Sequence, residues 1–327
     1  MTSLAAQSSR LLIAGAALFC AAAAPADAEE TFASVLFQND AFLGRDGGGY
    51  TSGAFISRMR VAAPGESGVS PALLLEPIVS GLGMPPATLA SSTLGQYMVT
   101  PRDLTRRDPD PNDAPYMGAL IFRSAQVYVH DDDIADMVAV NIGVIGPAAG
   151  AKQTQRFAHR ITGSRHALGW DRQGPNKALV GVERYRAWRF AWGAAGAGAA
   201  NGDVVTLAGG ALGNVESSLG GTVLLRYGAG LDRSFPTVAR VAAQFADPFV
   251  IGGGWFAYSG LSADRVFDDT PQRDGARFRK ARWVAVAGMA YGWTHSSLTF
   301  SLQNASLLVE SISRQSYGSI TYSWRME

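Results

Sequence analysis

The strongest constraint on the fold is a period of two in hydrophobicity, which recurs in short segments along the chain. In SITYSWRM, residues 319–326, small polar side chains alternate with large apolar ones. VAVNIGV at 138–144 and LTFSLQ at 298–303 alternate in the same way. Successive side chains of a β-strand point to opposite faces, so each segment predicts a strand with one apolar face.

Twelve segments of this kind are found, and their number is even. They cover 31–38, 50–61, 94–100, 116–129, 135–146, 176–190, 203–212, 218–229, 252–266, 280–292, 297–308 and 316–326. Trp283, Tyr291 and Trp293 lie near the two ends of one strand, as the aromatic girdles of membrane barrels do. The pattern predicts an all-β fold, a 12-stranded antiparallel transmembrane β-barrel with a short helix in an extracellular loop. A soluble β-sandwich is the alternative.

The N-terminal segment predicts export. Arg10 precedes an apolar run that ends in Ala-Asp-Ala at residues 26–28, as in a secretory signal peptide. We therefore expect residues 1–28 to be removed, and residues 29–327 to form the barrel domain in the bacterial outer membrane. Cys20 is the only cysteine, which leaves the mature chain without disulfides. A net charge of +1 gives no reason to expect a nucleic-acid partner, and we expect a monomer.

Strand parity places the unusual loops together. With both termini in the periplasm, the first three external loops are Asn39 to Gly49, residues 99–118 and Gly146 to Pro175. The second contains four prolines and many charges, and the third is the longest. Functional residues often lie on loops that a rigid scaffold holds. Two long periplasmic connections, 62–93 and 232–250, predict plugs or short helices.

The third loop predicts a helix that ends at Gly163, because Gln155, Phe157 and Ile161 have helical spacing and glycine is a common stop residue. Gln155 and His159 are four residues apart and share one helical face. Taken alone, His159 is more often a surface or packed histidine than a catalytic one.

Three stretches in this order resemble a known family. They are QNDAFLGRDGGGYTSGAFIS, YMVTPRD with DAPYMG, and GVIGPAAGAKQTQRFAHRITGSRHALGWDRQ. Together they are similar to the lipid A 3′-O-deacylases of bacterial outer membranes, the LpxR family. The resemblance implies a site between the barrel wall and a loop helix, hydrolysis of the 3′-linked acyloxyacyl ester of lipid A, and a need for Ca²⁺.

The resemblance also assigns residues. The family's Asn-Asp pair falls on Asn39 and Asp40, its threonine on Thr51, and a later hydroxyl on Ser57. Its glutamine and histidine fall on Gln155 and His159. His159 is then the general base that activates water, since histidine titrates near neutral pH. Asp40 and Asn39 are the expected Ca²⁺ ligands, because Ca²⁺ prefers oxygen. Gln155 and Ser57 would orient the water or stabilise the oxyanion, and a Ser57 nucleophile is the alternative.

Two departures from the family bear on activity. The third strand lacks the family's lysine, for which Gln96 or Arg102 would have to substitute. The acidic residue expected shortly after the helix is replaced by Arg165 and His166. A narrow porin or structural barrel and a phospholipase acting on glycerophospholipids remain as alternative functions. Arg102, Arg106 and Arg107 are candidates for contact with lipid A phosphates.

Overall fold

The computed structural model describes residues 29–43, 48–193, 199–243, 246–269, 280–306 and 315–327. The predicted signal peptide, 1–28, lies outside these residues. Twelve strands form a closed antiparallel barrel in which each strand pairs with its neighbours in the chain and β1 pairs with β12. The strands are β1 Glu29–Asn39, β2 Gly49–Ala62, β3 Leu89–Thr100, β4 Met117–His130, β5 Ile134–Ile145, β6 Lys177–Gly193, β7 Asn201–Gly213, β8 Glu216–Ala229, β9 Gly254–Asp269, β10 Ala281–Gly292, β11 Ser296–Ala305 and β12 Gln315–Arg325. The predicted fold class and strand number are confirmed.

The two faces of the wall are inverted relative to a soluble protein. Ile320 and Tyr322 of β12 are 40% and 47% exposed on the outside, whereas Ser319 and Thr321 are buried in the lumen. Closure pairs every strand on both sides, so no edge is left to the lipid. The alternation therefore predicts which side chains face the acyl chains.

The two mouths of the barrel differ in their connections. The start of β1 and the end of β12 lie at one mouth, the terminal mouth, and the β1–β2, β3–β4 and β5–β6 connections lie at the other, the loop mouth. Aromatic side chains on the outer face near the terminal mouth include Phe190, Trp192, Tyr227, Trp255, Tyr291, Trp293, Tyr322 and Trp324. Such a belt marks a membrane–water interface.

The connection between β2 and β3 packs on the outside of the barrel. It contains α1, Glu76–Gly81, whose Val79 packs with Leu75 against Tyr128 on the outer face of β4. The predicted short helix is therefore present. Strand β3 begins at Leu89, five residues before the predicted start at 94.

The connection between β8 and β9 fills the lumen near the terminal mouth. It contains α2, Phe235–Ala239, in which every residue is buried. The carboxylate of Asp247 accepts hydrogen bonds from the lumen-facing hydroxyls of Ser319 and Thr321, both at 2.8 Å. Arg226 of β8 donates to the carbonyl of Leu231 at 3.1 Å. We call the described part of residues 231–251 the plug, and a plug is one of the two alternatives that the sequence suggested for this connection.

Polar pairs extend the filling of the lumen. Arg123 and Glu183 form a buried ion pair at 2.9 Å. Asp203 is held between Arg226 at 2.5 Å and Arg189 at 2.7 Å. No helix among the described residues has the length and apolar character that crossing a membrane would require.

Candidate functional site

The helix of the third loop, α3, spans Ala151–Thr162 and lies on the outer face of β3 and β4 at the loop mouth. Gly118 of β4 leaves space for it, since a Cβ there would lie 2.4 Å from the Cβ of Ala151. The Nε2 of Gln96, on the outer face of β3, donates to the carbonyl of Ala149 at 2.5 Å. The start of α3 is thereby fixed to the membrane-facing side of the wall.

A small apolar cluster holds the helix in place. Met98, Leu104, Tyr116, Ala151 and Trp170 form a buried group outside the barrel. The rings of Tyr116 and Trp170 are 5.0 Å apart at their centroids. Burial of an aromatic side chain such as Trp170 contributes about 3 kcal/mol, so this cluster is sufficient to seat one helical turn.

Gln155 lies between α3 and the wall. Its side-chain carbonyl accepts a hydrogen bond from the Nε1 of Trp170 at 2.6 Å. Its Nε2 is buried and has no hydrogen-bond partner among the described residues. A buried donor without a partner is costly, and a ligand oxygen would satisfy it.

His159 lies one turn further along the same face and is partly buried. Its Nδ1 is hydrogen-bonded to the carbonyl of Arg165. A carbonyl only accepts, so Nδ1 carries the proton, and the neutral ring presents Nε2 as its acceptor. The left-handed Gly163, at φ 71°, ends α3 and turns the chain back so that this contact forms.

Asn39, Asp40 and Thr51 lie at the loop mouth. Asn39 ends β1 opposite Ser52, and the buried Asp40 begins a short 3₁₀ turn. Thr51 is the extra residue of a β-bulge in β2, and its hydroxyl lies 2.6 Å from that of Thr100 at the end of β3. Bulges often re-aim side chains beside functional sites.

The structure thus brings Asn39, Asp40, Thr51, Gln155 and His159 to one mouth. The order β1, β2, β3 separates Asn39 from the wall beneath α3 by two inter-strand spacings, or about 10 Å.

Ser57 is not part of this arrangement. It is buried on the lumen face, where its hydroxyl lies 2.8 Å from that of Thr93. It shares the strand parity of Phe55 and Met59, whose side chains also face inward. The barrel wall separates Ser57 from α3, so the expectation that Ser57 acts beside His159, as nucleophile or donor, is not met.

The Ca²⁺ ligands that the resemblance assigns are the carboxylate of Asp40 and the amide oxygen of Asn39, and both residues also interact with other groups of the protein. No group of three or more His, Cys, Asp or Glu suited to a metal is found in the part of the chain that the structure describes. Ca²⁺ takes six to eight oxygens. These residues fit the ion in kind and would supply part of its shell, with the remainder from backbone carbonyls, water and substrate.

Neither Gln96 nor Arg102 places a flexible ammonium group where the family has its lysine. Gln96 is engaged with the start of α3. The stem of Arg102 packs over Gly48, where a Cβ would lie 2.6 Å from its Cγ. Arg102 therefore places a cation beside the end of the first loop.

The sequence analysis missed the roles of Gly118 and Trp170, although a glycine inside a strand signals a close approach of another element.

Comparisons with known proteins agree with this architecture. The family profile described as Outer membrane protein LpxR matches residues 11–326. The structure of LpxR from Salmonella typhimurium aligns with a TM-score of 0.71 at 16% identity, covering 90% of this chain and 100% of that one. The β domain of the Bordetella autotransporter BrkA reaches a TM-score of 0.40 at 11% identity, covering 91% and 99%. No curated protein sequence matches the chain.

At 16% identity the Salmonella structure shows the fold alone, and the Bordetella score carries no argument. The family match is stronger evidence, because it extends over nearly the whole chain, including the first loop, the third strand and α3. On that match, this chain belongs to the LpxR family of bacterial outer membrane proteins.

Proposed function

We propose that the protein is a lipid A 3′-O-deacylase that works in the outer leaflet of the outer membrane. Its family membership supports this role. The observation that carries the proposal is the position of His159, on a helix packed against the lipid-facing side of the wall, with Nε2 left as the acceptor. A lipid in the outer leaflet reaches that side of the wall directly, whereas the lumen is closed to it.

In the proposed reaction, His159 Nε2 takes a proton from water as the water oxygen attacks the carbonyl carbon of the 3′ ester. The Nε2 of Gln155 donates to the developing oxyanion, which suits a buried donor without a protein partner. Collapse of the tetrahedral intermediate breaks the ester C–O bond, and His159 returns the proton to the sugar oxygen. The products are the free acyloxyacyl acid and the 3′-hydroxyl of the sugar.

Asn39, Asp40 and Thr51 have a binding role in this proposal. Asp40 and Asn39 hold Ca²⁺, and the Thr51 hydroxyl, positioned by Thr100, orients the sugar at the bulge. Bound Ca²⁺ supplies electrostatic polarisation of the ester carbonyl. The low count of protein ligands fits an ion whose shell the substrate completes.

The alternative functions separate on structure and on product. The plug fills the lumen with packed side chains, which is the opposite of what a porin needs. A phospholipase would use the same histidine and differ in its substrate, so product analysis separates the two enzymes.

The test is mass spectrometry of lipid A and phospholipids from cells that express the wild type, His159→Ala or His295→Ala. His295 lies in the turn at the terminal mouth and is the matched control. We expect loss of the 3′ acyloxyacyl group with the wild type and His295→Ala, and intact lipid A with His159→Ala. Lysophospholipid with unchanged lipid A would favour the phospholipase, and no change in any lipid would reject both enzymes.

A further inference from the structure

Positive charge is concentrated in the third loop. Residues 146–176 contain five of the 28 Lys and Arg residues and only one of the 27 Asp and Glu residues. Two of these cations are paired, since Lys152 contacts Asp171 and Arg172 lies 2.7 Å from Asp108. The remaining three belong to α3 and the turn that follows it.

A cavity of about 360 Å³ opens beside α3 and contains two of those cations. Its walls are Arg156, Arg160, His166, Ala167 and Leu168. The chain after Gly163 folds back along the helix, and the amide of Leu168 donates to the carbonyl of Leu104 at 2.9 Å. One wall of the cavity is therefore helix, and the other is the returning chain.

Arg156 and Arg160 have no ion pair within the described residues. They are one helical turn apart, so their guanidinium groups can meet one anion together. Arginine presents several N–H donors in a plane, which suits the oxygens of a phosphate. The imidazole of His166 lines the same cavity.

Exposed apolar side chains lie on α3 and on the returning chain, and Leu168 among them lines the cavity. On the same helix Phe157 and Ile161 are 64% and 69% exposed, and Leu168 is 46% exposed. Cations beside exposed apolar groups are typical of the membrane interface, where the apolar groups enter the acyl region and the cations meet phosphates. A lipid head group is therefore the occupant that fits, in preference to a soluble anion.

We propose that this cavity binds the 4′-phosphate of lipid A, and that Arg156 and Arg160 select the substrate of the proposed deacylase. At about 100° per residue, Arg156 and Arg160 follow His159 around one flank of α3. In lipid A the 3′ ester and the 4′-phosphate are on neighbouring carbons of one sugar. A phosphate held by the arginines therefore presents the ester to Nε2 of His159. This inference rests on the proposed function.

The experiment compares kcat/KM for bisphosphorylated lipid A and for lipid A that lacks either the 4′- or the 1-phosphate. The enzymes are the full chain refolded in detergent, Arg156→Gln, Arg160→Gln, the double variant, and Arg233→Gln at the terminal mouth as a control. We expect a loss of about tenfold for each arginine and for removal of the 4′-phosphate. The double variant should not distinguish the 4′-dephosphorylated substrate from the bisphosphorylated one.

Binding gives a second measurement, which does not need turnover. The His159→Ala variant should bind vesicles that contain bisphosphorylated lipid A at least tenfold more tightly than the triple variant, in which Arg156 and Arg160 are replaced as well. Millimolar inorganic phosphate should compete only weakly, and full displacement by it would assign the cavity to a free anion instead.

The two failures are distinguishable. If the wild type deacylates lipid A and the double variant keeps its preference for the 4′-phosphate, the phosphate site is wrong and the proposed function stands. If no ester is cleaved but binding depends on Arg156, Arg160 and the 4′-phosphate, the site stands and the proposed function is wrong. Equal losses for the 4′- and 1-dephosphorylated substrates would also overturn the assignment.

Discussion

At the scale of single residues, Gln155 shows how the site is held ready. Its carbonyl is bonded to the Nε1–H of Trp170, which leaves the amide nitrogen without a partner among the described residues. Because the indole only donates, it also fixes which way round the amide lies. Trp170 is therefore a positioning residue, which acts on the ester through Gln155.

Trp170→Phe tests this role, because phenylalanine keeps an aromatic ring in the apolar cluster and removes the donor. We expect kcat to fall about fivefold to tenfold with little change in KM, since the loss acts on the oxyanion donor. Steady-state kinetics on lipid A in detergent measure both constants. Trp293→Phe, at the terminal mouth, is the control. An unchanged kcat would show that Gln155 is oriented without the indole.

Asp40 is the only carboxylate that our proposal gives to Ca²⁺. Chelation should abolish lipid A deacylation, and added Ca²⁺ should restore it. Asp40→Asn removes one negative charge from a small ligand set, so the Ca²⁺ concentration for half-maximal activity should rise about tenfold or more. Asp132→Asn, in the turn at the terminal mouth, should have no effect, because asparagine also tolerates its positive φ of 56°. Full activity in chelator would contradict the metal's role.

At the scale of elements, the seat of α3 depends on Gly118. A Cβ at this outward-facing position would lie 2.4 Å from the Cβ of Ala151, so the helix approaches the wall closely there. We expect Gly118→Val to displace α3 and lower deacylation at least a hundredfold, while the strand itself tolerates a β-branched residue. Leu120→Val, two residues along the same face, is the matched control.

The readouts for Gly118→Val are activity and the heat-dependent shift of the folded barrel on gels. A barrel that still migrates as folded but has lost activity would support the role of the contact between α3 and Gly118. An active variant would show that the helix does not need close contact with the wall.

The sequence predicted some elements well and others less so. Alternation located all twelve strands, because the outer face of the barrel is apolar and many of the lumen-facing side chains between the apolar ones are small or polar. It placed the start of β3 at 94, and Leu89 and Ala90 were missed because both faces are covered there, by the lumen core and by the α1 connection.

The helix of the third loop illustrates what remained inaccessible. Its end at Gly163 followed from local chemistry and is confirmed. Its orientation did not, because Phe157 and Ile161 face away from the protein, whereas the polar Gln155 is buried. To infer the orientation of α3, one needs to know where the barrel wall and the membrane lie. Ser57 was misplaced since the resemblance transferred a hydroxyl without its strand face.

The plug contains a buried carboxylate whose titration should be visible in stability. Burial raises the pKa of Asp247 above its ordinary value of 3.8, against the opposing hydrogen bonds of Ser319 and Thr321. The folded state then binds the proton more tightly than the unfolded state. The free energy of unfolding should therefore fall as pH rises from about 3.8 through the raised pKa.

Asp247→Asn should remove this part of the pH dependence, because the amide does not ionise. Guanidinium unfolding in detergent, followed by tryptophan fluorescence between pH 4 and pH 8, measures the slope. Asp110→Asn, in the exposed second loop, should keep the wild-type slope. Equal slopes for Asp247→Asn and the wild type would contradict the assignment.

At the scale of the whole molecule, the barrel has two separate compartments. The lumen is filled by the plug and by ion pairs such as Arg123 with Glu183. The helix residues of the proposed site, Gln155 and His159, belong to α3 on the outer face of the wall, where lipid is the solvent. The two faces of the wall therefore have different roles. The inner side chains stabilise the barrel, and in our proposal the outer side chains at the loop mouth contact the substrate.

This separation predicts that the plug is dispensable for the chemistry. Ala229 and Trp255 are paired at the end of the β8–β9 ladder, and a Cβ at Gly230 would lie 3.3 Å from the carbonyl of Gly253. A two-residue Asn-Gly turn can therefore replace the plug without moving either strand.

In planar bilayers the wild type should show no steady ion conductance, and the variant without the plug should conduct. Lipid A deacylation per folded molecule should remain within about threefold of wild type, with less resistance to guanidinium because buried apolar area is lost. Conductance of the wild type would mean that the lumen is open, and loss of activity in a folded plugless barrel would mean that the lumen and the site are coupled.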